Sequence, residues 1–130
     1  FITFSNIVFL NNSSFEEKGI SLYSVLQKTD LLLTDFSSIY IDYLLLNKPI
    51  GFLISDFEQY SNSRGFVFKN PKEFMPGEII TKRDELIPFI EKVLCLKQDD
   101  FEEKRLLNKD IFHTPETKFS ENVFNTIFKC

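Results

Sequence analysis

The stretch Asp30 to Leu46, DLLLTDFSSIYIDYLLL, limits the fold of this chain more than any other. Leu31, Leu32 and Leu33 form an unbroken apolar run, the pattern of a strand covered on both faces; Thr34, Asp35, Ser37 and Ser38 then interrupt it before a second apolar run begins. The spacing predicts a strand, a tight polar turn and a helix. Ser37 or Ser38 suits an N-cap, and the free N–H groups of the first helical turn would then point out of the carboxyl edge of the sheet, where open α/β sheets bind ligands. The turn is therefore a candidate anion site, weighed against the plainer role of a helix cap. Asp42 follows Ser38 by one helical turn and shares a face with it, while Ile39, Tyr43 and Leu46 pack a neighbouring face. A carboxylate repels phosphate, so contact of Asp42 with a nucleotide would be made to a hydroxyl, most simply one of a ribose.

The flanking chain repeats the alternation. Ile7 to Leu10 has the pattern of a short buried strand, Asn11 to Gly19 supplies turn chemistry, and Ser21 caps a helix through Lys28 carrying Leu22, Val25 and Leu26. Asn47-Lys48-Pro49 ends the helix that begins at Ser38, because proline biases the residue before it away from the α region, and Ile50 to Ile54 is the next buried strand. Strand, helix, strand, helix, strand with short connections predicts right-handed crossovers in a parallel sheet flanked by helices, an α/β fold.

Beyond Ser55 the pattern loosens. Asp56 to Gly65 reads as a polar loop in which Arg64-Gly65 offers a guanidinium and a close backbone approach to phosphate, or simply a solvated arginine. Pro76-Gly77 signals a type II turn with positive φ at the glycine. Asp84 to Lys97 reads as an amphipathic helix capped by Asp84, with Leu86, Ile87, Ile90, Val93 and Leu94 inward. Asp99 to Lys109 reads as a short charged helix, and Ser120 to Phe128 as a terminal helix with Val123, Phe124, Ile127 and Phe128 on its apolar side. His113, the single histidine, falls in the loop between them and has no second histidine for a dyad.

Composition removes several function classes. A chain of 130 residues forms one domain with a real core. A net charge of −4 leaves no basic surface for nucleic acid, so an anionic ligand must be held by local donors. Cys95 and Cys130 lack any metal-ligand or CxxC spacing, which fits a reducing compartment and gives no metal site. The apolar runs fall short of the roughly 20 residues that span a bilayer, and no basic segment precedes a signal-like core, which predicts a soluble domain. Phe1 opens inside a strand-like pattern with no initiator methionine, as expected of a fragment.

Taken together, these residues resemble the carboxyl-terminal part of the CDP-glycerol glycerophosphotransferase family, the teichoic-acid primases and polymerases. The family pattern of a strand, T-D-Y-S-S, F-D-Y-L-L-L and K-P-I appears here as Thr34-Asp35-Phe36-Ser37-Ser38, Ile41-Asp42-Tyr43-Leu44-Leu45-Leu46 and Lys48-Pro49-Ile50. Asp56 and Tyr60, Arg64-Gly65-Phe66, Pro76-Gly77, and His113 ahead of Ser120 follow in matching order, so the resemblance covers about Ile7 to Phe128. Two positions depart from the pattern: Phe36 stands where the family has tyrosine, and Glu116-Thr117 where it often has Asp-Gly.

The resemblance implies that residues 1–130 are a single donor-nucleotide-binding lobe, the C-terminal Rossmann-like lobe of a two-lobed enzyme of glycosyltransferase-B type. That enzyme would take CDP-glycerol as donor, without a cofactor or metal, and pass glycerol phosphate to a hydroxyl of a polymer or lipid-linked acceptor in teichoic-acid or capsule-like polymer synthesis. It would work in the cytoplasm at the membrane face, by peripheral association, with an N-terminal lobe as partner and without nucleic acid. By the same resemblance Ser37 and Ser38 hold the pyrophosphate and Asp42 a donor hydroxyl, with Asp35, Arg64 and His113 lining the cleft. The family's lysine and histidine segment precedes the equivalent of Ile7, so the general base is expected upstream and no catalytic residue is assigned within the chain. Two other readings stay open: a lobe of a sugar-nucleotide glycosyltransferase, and a non-catalytic α/β module whose turn only caps a helix.

Overall fold

The computed structural model describes residues 6–114 and 118–128; Phe1, Glu116-Thr117 and Cys130 lie outside them. The chain runs α1 (Asn12–Lys18), α2 (Leu22–Leu26), β1 (Leu32–Thr34), α3 (Ile39–Tyr43), β2 (Ile50–Leu53), α4 (Phe57–Ser63), β3 (Glu78–Ile80), α5 (Leu86–Ile90), α6 (Glu102–Phe112) and α7 (Phe119–Phe128). Among the described residues the three strands form one parallel sheet in the order β1-β2-β3, with Leu32 opposite Ile50 and Phe52 opposite Ile79. The α/β class and the parallel direction of β1 and β2 are as expected from the sequence.

The central strand β2 is buried on both faces. Ile50, Phe52 and Ile54 point into a core with Leu26, Tyr40, Tyr43, Leu44 and Met75, while the opposite face carries Leu31, Leu33 and Ile80 under Phe89 and Val93 of the α5 segment. Gly51 makes the second layer fit: a Cβ there would meet the Phe89 ring at 2.7 Å and Leu33 at 2.8 Å. Gly77 has a comparable role, since a Cβ would lie 2.2 Å from the Ile50 carbonyl oxygen where the chain enters β3.

Several expectations are corrected. Ile7 to Leu10 is not a strand: no strand among the described residues pairs with it, and Val8 and Phe9 are 78% and 84% exposed. An apolar run becomes a strand only where cross-strand neighbours exist. Asn11 to Gly19 is a helix rather than a turn; the Asn11 side chain accepts from Ser14 N–H at 2.9 Å, and Gly19 closes the helix in the left-handed region at φ 58°. The third strand is Glu78–Ile80, which directly follows the Pro76-Gly77 signal. That signal is not a type II turn, because positive φ among the glycines falls at Gly19 and Gly65; Gly77 N–H donates back to the Met75 carbonyl at 3.0 Å instead.

Asp56 to Gly65 contains α4, whose Phe57 and Tyr60 pack inward through ring contacts. The Asp84–Lys97 helix is present in a different phase. A 3-10 turn at Arg83–Glu85 and a π turn at Glu91–Cys95 flank α5, so that Phe89 is buried and Ile87 faces solvent. Its start is capped by Glu85, not Asp84: the Glu85 carboxylate accepts from Thr81 N–H at 2.8 Å and Lys82 N–H at 3.0 Å. Those backbone bonds, Lys82 first, hold its pKa below the usual range. Helix α7 forms as expected, with Val123, Phe124, Ile127 and Phe128 exposed.

Arg105 of α6, 1% exposed, ties the outer helix to the sheet. Its Nε and Nη2 donate to the side-chain oxygen and carbonyl of Asn47, each at 3.2 Å, and Nη1 donates to Asp99 Oδ1 at 3.0 Å. Asn47 sits in the left-handed region (φ 48°) between α3 and β2, so the guanidinium fixes the chain reversal that sets the strand's register. Burial pushes the Asp99 carboxyl upward, but its hydrogen bonds to Arg105 and the Phe101 N–H, with the Arg105 charge, outweigh this and lower its pKa. A lowered carboxyl pKa stabilises the fold above its unfolded value, and the contribution is lost as pH falls through the folded value. Arg105→Met is expected to cost about 3 kcal/mol at pH 7, because it strands a half-buried carboxylate and the Asn47 carbonyl. The loss should shrink as pH falls below the ordinary carboxylate value and through the lowered folded value, where Asp99 takes up its proton; urea titrations at pH 7 and at successively lower pH measure both effects.

Candidate functional site

The carboxyl end of β1 delivers the polar turn to the sheet edge. Thr34 is buried, while Asp35, Ser37 and Ser38 are exposed. Asp35 Oδ1 accepts from Ser37 N–H at 2.9 Å, closing an Asx turn, and Ser37 Oγ accepts from Ile39 N–H at 3.4 Å. Ser38 occupies the N-cap position of α3 without a side-chain cap bond. The capping expected of Ser37 or Ser38 thus falls to Asp35 and Ser37, and the Ser38 hydroxyl is left available to a ligand.

Beside Ser38 opens a cavity of about 200 Å³ that the sequence did not foreshadow. Its walls include Phe36, Tyr60, Gly65, Phe66, Phe68 and Met75. Phe36 stacks on Tyr60 with ring centroids 4.0 Å apart, and Phe66 stacks on Phe57 at 5.1 Å. The phenylalanine that departs from the family tyrosine is therefore an inner member of an aromatic cluster. Gly65 reaches the cavity wall in the left-handed region (φ 72°), whereas Arg64 beside it is exposed at the end of α4. The structure brings Gly65, rather than the Arg64 guanidinium, to the wall that contains Ser38.

Asp42, half-buried on α3, has one partner that the sequence did not suggest: Tyr23 Oη donates to Asp42 Oδ2 at 3.2 Å. The Asp42 charge, and then the hydrogen bond itself, raise the pKa of Tyr23, which keeps its proton. No local signal reveals this pair, because it joins α2 to α3 across 19 residues. His113, at the end of α6, brings Nε2 to within 2.7 Å of the Ile41 carbonyl. A carbonyl oxygen only accepts, so Nε2 carries a proton and a neutral ring keeps Nδ1 as its acceptor. Ser37, Ser38, Asp42 and His113 thus gather around α3, Asp35 is committed to the turn, and Arg64 is exposed beside the cavity-lining Gly65. Among the described residues no group of three or more His, Cys, Asp or Glu side chains is placed to hold a metal ion, and no helix is long and apolar enough to cross a membrane.

Comparison with known proteins identifies the family. A model of the CDP-Glycerol:Poly(glycerophosphate) glycerophosphotransferase family matches residues 5–129, and the chain belongs to that family. It is 32% identical over 119 residues to the teichoic acid poly(ribitol-phosphate) polymerase of Bacillus spizizenii, covering 92% of this chain and 18% of the relative. It is also 32% identical over 109 residues to the teichoic acid poly(glycerol phosphate) polymerase of Bacillus subtilis, covering 78% of this chain and 14% of the relative. The teichoic acid glycerol-phosphate primase of Bacillus subtilis is 36% identical over 67 residues, 52% of this chain and 17% of that protein. The chain thus spans less than a fifth of the length of these relatives. No solved structure matches it.

The cap geometry yields a stability prediction. Asp35→Ala removes the acceptor of the Asx turn and should cost about 1 kcal/mol, as cap losses do. Ser38→Ala should stay within about 0.5 kcal/mol of the parent, as an exposed side chain without a partner allows. Thermal unfolding of the two variants separates them; equal losses would contradict the assignment of the cap to Asp35.

Proposed function

We propose that this chain is the donor-binding lobe of a CDP-glycerol-dependent glycerophosphotransferase, an enzyme of teichoic-acid or capsule-like polymer synthesis. The family match across residues 5–129 carries the reading. The geometry supports it: the Ser38 hydroxyl is unbonded at the carboxyl edge of a parallel sheet, one helical turn from a carboxylate suited to accept from a sugar hydroxyl. In this reading Ser37 and Ser38 donate to the pyrophosphate, Asp42 accepts from a donor hydroxyl, and His113 and Arg64 border the cleft, with Asp35 shaping the turn.

The reaction requires an acceptor hydroxyl to attack the phosphorus that bears glycerol, breaking its bond to the bridging oxygen so that CMP departs. A general base takes the acceptor's proton, and hydroxyl or N–H donors stabilise the charge gathering on the departing phosphate. The donor is activated by its own pyrophosphate bond, so no cofactor enters the scheme. We assign the base to a second lobe, in a cleft of glycosyltransferase-B type, and the acceptor to a polymer or lipid-linked chain at the cytoplasmic membrane face. The share of the relatives' length that the chain spans is consistent with its being one lobe of a larger enzyme. The ribitol-phosphate relative keeps one alternative in view, a CDP-ribitol donor.

Two measurements test the proposal. The 130-residue chain alone should form no glycerol-phosphate polymer from CDP-glycerol and acceptor, since reacting groups must converge from both sides of the cleft; product formation by the purified chain would overturn the assignment of the base. In the longer enzyme, Ser37→Ala with Ser38→Ala should weaken CDP-glycerol binding by roughly 1.5 kcal/mol or more, the worth of one charge-assisted hydrogen bond. Asp42→Asn should weaken intact donor binding while leaving inorganic pyrophosphate binding equal or tighter, because it removes a negative charge near the phosphates. Calorimetric titration with CDP-glycerol, CDP-ribitol and UDP-sugars reads both effects and the donor preference; unchanged affinity in both variants would place the donor elsewhere.

A further inference from the structure

Tyr23 is 56% exposed, yet its position is closely determined. Helix α2 is capped by Ser21, whose Oγ accepts from Ser24 N–H at 3.1 Å. Beyond its other end Lys48 Nζ donates to the carbonyls of Gln27 at 2.9 Å and Thr29 at 2.6 Å, and the Thr29 hydroxyl meets Tyr43 Oη of α3 at 2.8 Å. The helix that carries Tyr23 is thus tied to the helix that carries Asp42 by bonds that do not involve either residue. The Tyr23–Asp42 hydrogen bond lies outside the core, where such a bond adds little to stability.

What this pair offers chemically is two adjacent acceptors. The phenol donates its only proton to Asp42 Oδ2, which leaves the Tyr23 oxygen with lone-pair capacity and Asp42 Oδ1 unoccupied. Among the described residues no lysine or arginine forms an ion pair with Asp42. An uncompensated carboxylate does not hold phosphate, and it suits neighbouring hydroxyls that can each donate once. Such a pair of hydroxyls is the 2′,3′-diol of a ribose.

We propose that Tyr23 is a specificity-determining residue of the donor site, which with Asp42 reads both hydroxyls of the ribose and so selects a ribonucleoside diphosphate over its 2′-deoxy counterpart. Tyr23 Oη accepts from the 2′-hydroxyl and Asp42 Oδ1 from the 3′-hydroxyl, while the Tyr23 proton keeps the carboxylate turned toward the diol. The inference rests on the donor-site reading given above and adds a residue and a discrimination to it.

The test is calorimetric titration of the chain, as the parent, Tyr23→Phe and Asp42→Asn, with CDP, 2′-deoxy-CDP and inorganic pyrophosphate. Tyr23→Phe should weaken CDP binding on the order of three- to tenfold, leave pyrophosphate unchanged, and bring the CDP to 2′-deoxy-CDP affinity ratio toward one. Loss of packing would weaken both nucleotides alike and leave the ratio where it was. The double variant should bind CDP no more weakly than the product of the single effects, because the hydroxyl and the carboxylate act on one diol. If Asp42→Asn lowers the ratio while Tyr23→Phe keeps it, the role of Tyr23 is overturned and the donor site stands. If neither variant changes CDP binding, or the parent binds neither CDP nor pyrophosphate, both readings fall together.

Discussion

The arrangement around α3 depends on the buried Arg105 guanidinium. A strand covered on both faces can hold its register only if the connection that feeds it is fixed, and the connection into β2 is a left-handed asparagine that costs energy to maintain. Arg105 offsets that cost by bonding both oxygens of Asn47, and Asp99 compensates the charge that would otherwise be stranded in the interior. The consequence reaches the site. With Arg105 anchored near the middle of α6, the helix runs on to Phe112 and delivers His113 against the Ile41 carbonyl, beside Asp42. One buried charge pair therefore helps locate a ring nitrogen against α3.

The polar turn shows how electrostatics divides labour among residues of one type. The turn brings two acids near a proposed phosphate site in a chain whose net charge is already −4. Asp35 spends an oxygen on the Ser37 N–H, the penalty of its charge being offset by closing the turn. Asp42 stands a helical turn further on, where its charge is satisfied by a phenol proton rather than by a cation. In the proposed donor site, phosphate affinity would then come from hydroxyls and backbone N–H groups.

How much of this was legible in the sequence depended on whether a signal was local. The strand at Leu31 to Thr34, its helix, the stop at Asn47-Lys48-Pro49 and the strand at Ile50 are each marked by residues within a few positions, and each formed. Ser21 as a cap was equally local. Ile7 to Leu10 carried the same apolar run as β1 but found no partner strand among the described residues, and β3 was obscured because three residues after a proline and a glycine do not make a periodic pattern. The phase of α5 was missed since 3-10 and π turns rotate the helix surface away from a constant 100° per residue. Arg105 and Tyr23 were invisible for another reason: each acts on a residue far along the chain, Asn47 and Asp42.

The aromatic cavity joins these points. Phe36 belongs to the turn, Tyr60 to α4 in the stretch read as a polar loop, Phe66 to the residues just after that stretch, and Phe68 and Met75 to the approach to β3. Ring stacking among Phe36, Tyr60, Phe57 and Phe66 lets a segment rich in Ser, Asn, Gln and Glu fold as a helix against the sheet edge, since burial of its aromatic face outweighs weak helix propensity. The same packing gives Ser38 an apolar wall on one side, while Asp42 lies one helical turn away on the same helix. In the proposed reading, a phosphate held at Ser37 and Ser38 would lie beside this apolar wall, and a nucleotide would extend toward Asp42, where its hydroxyls would find acceptors. In the proposed donor site, the polarity of the α3 surroundings, rather than the turn alone, would set the direction in which the donor lies.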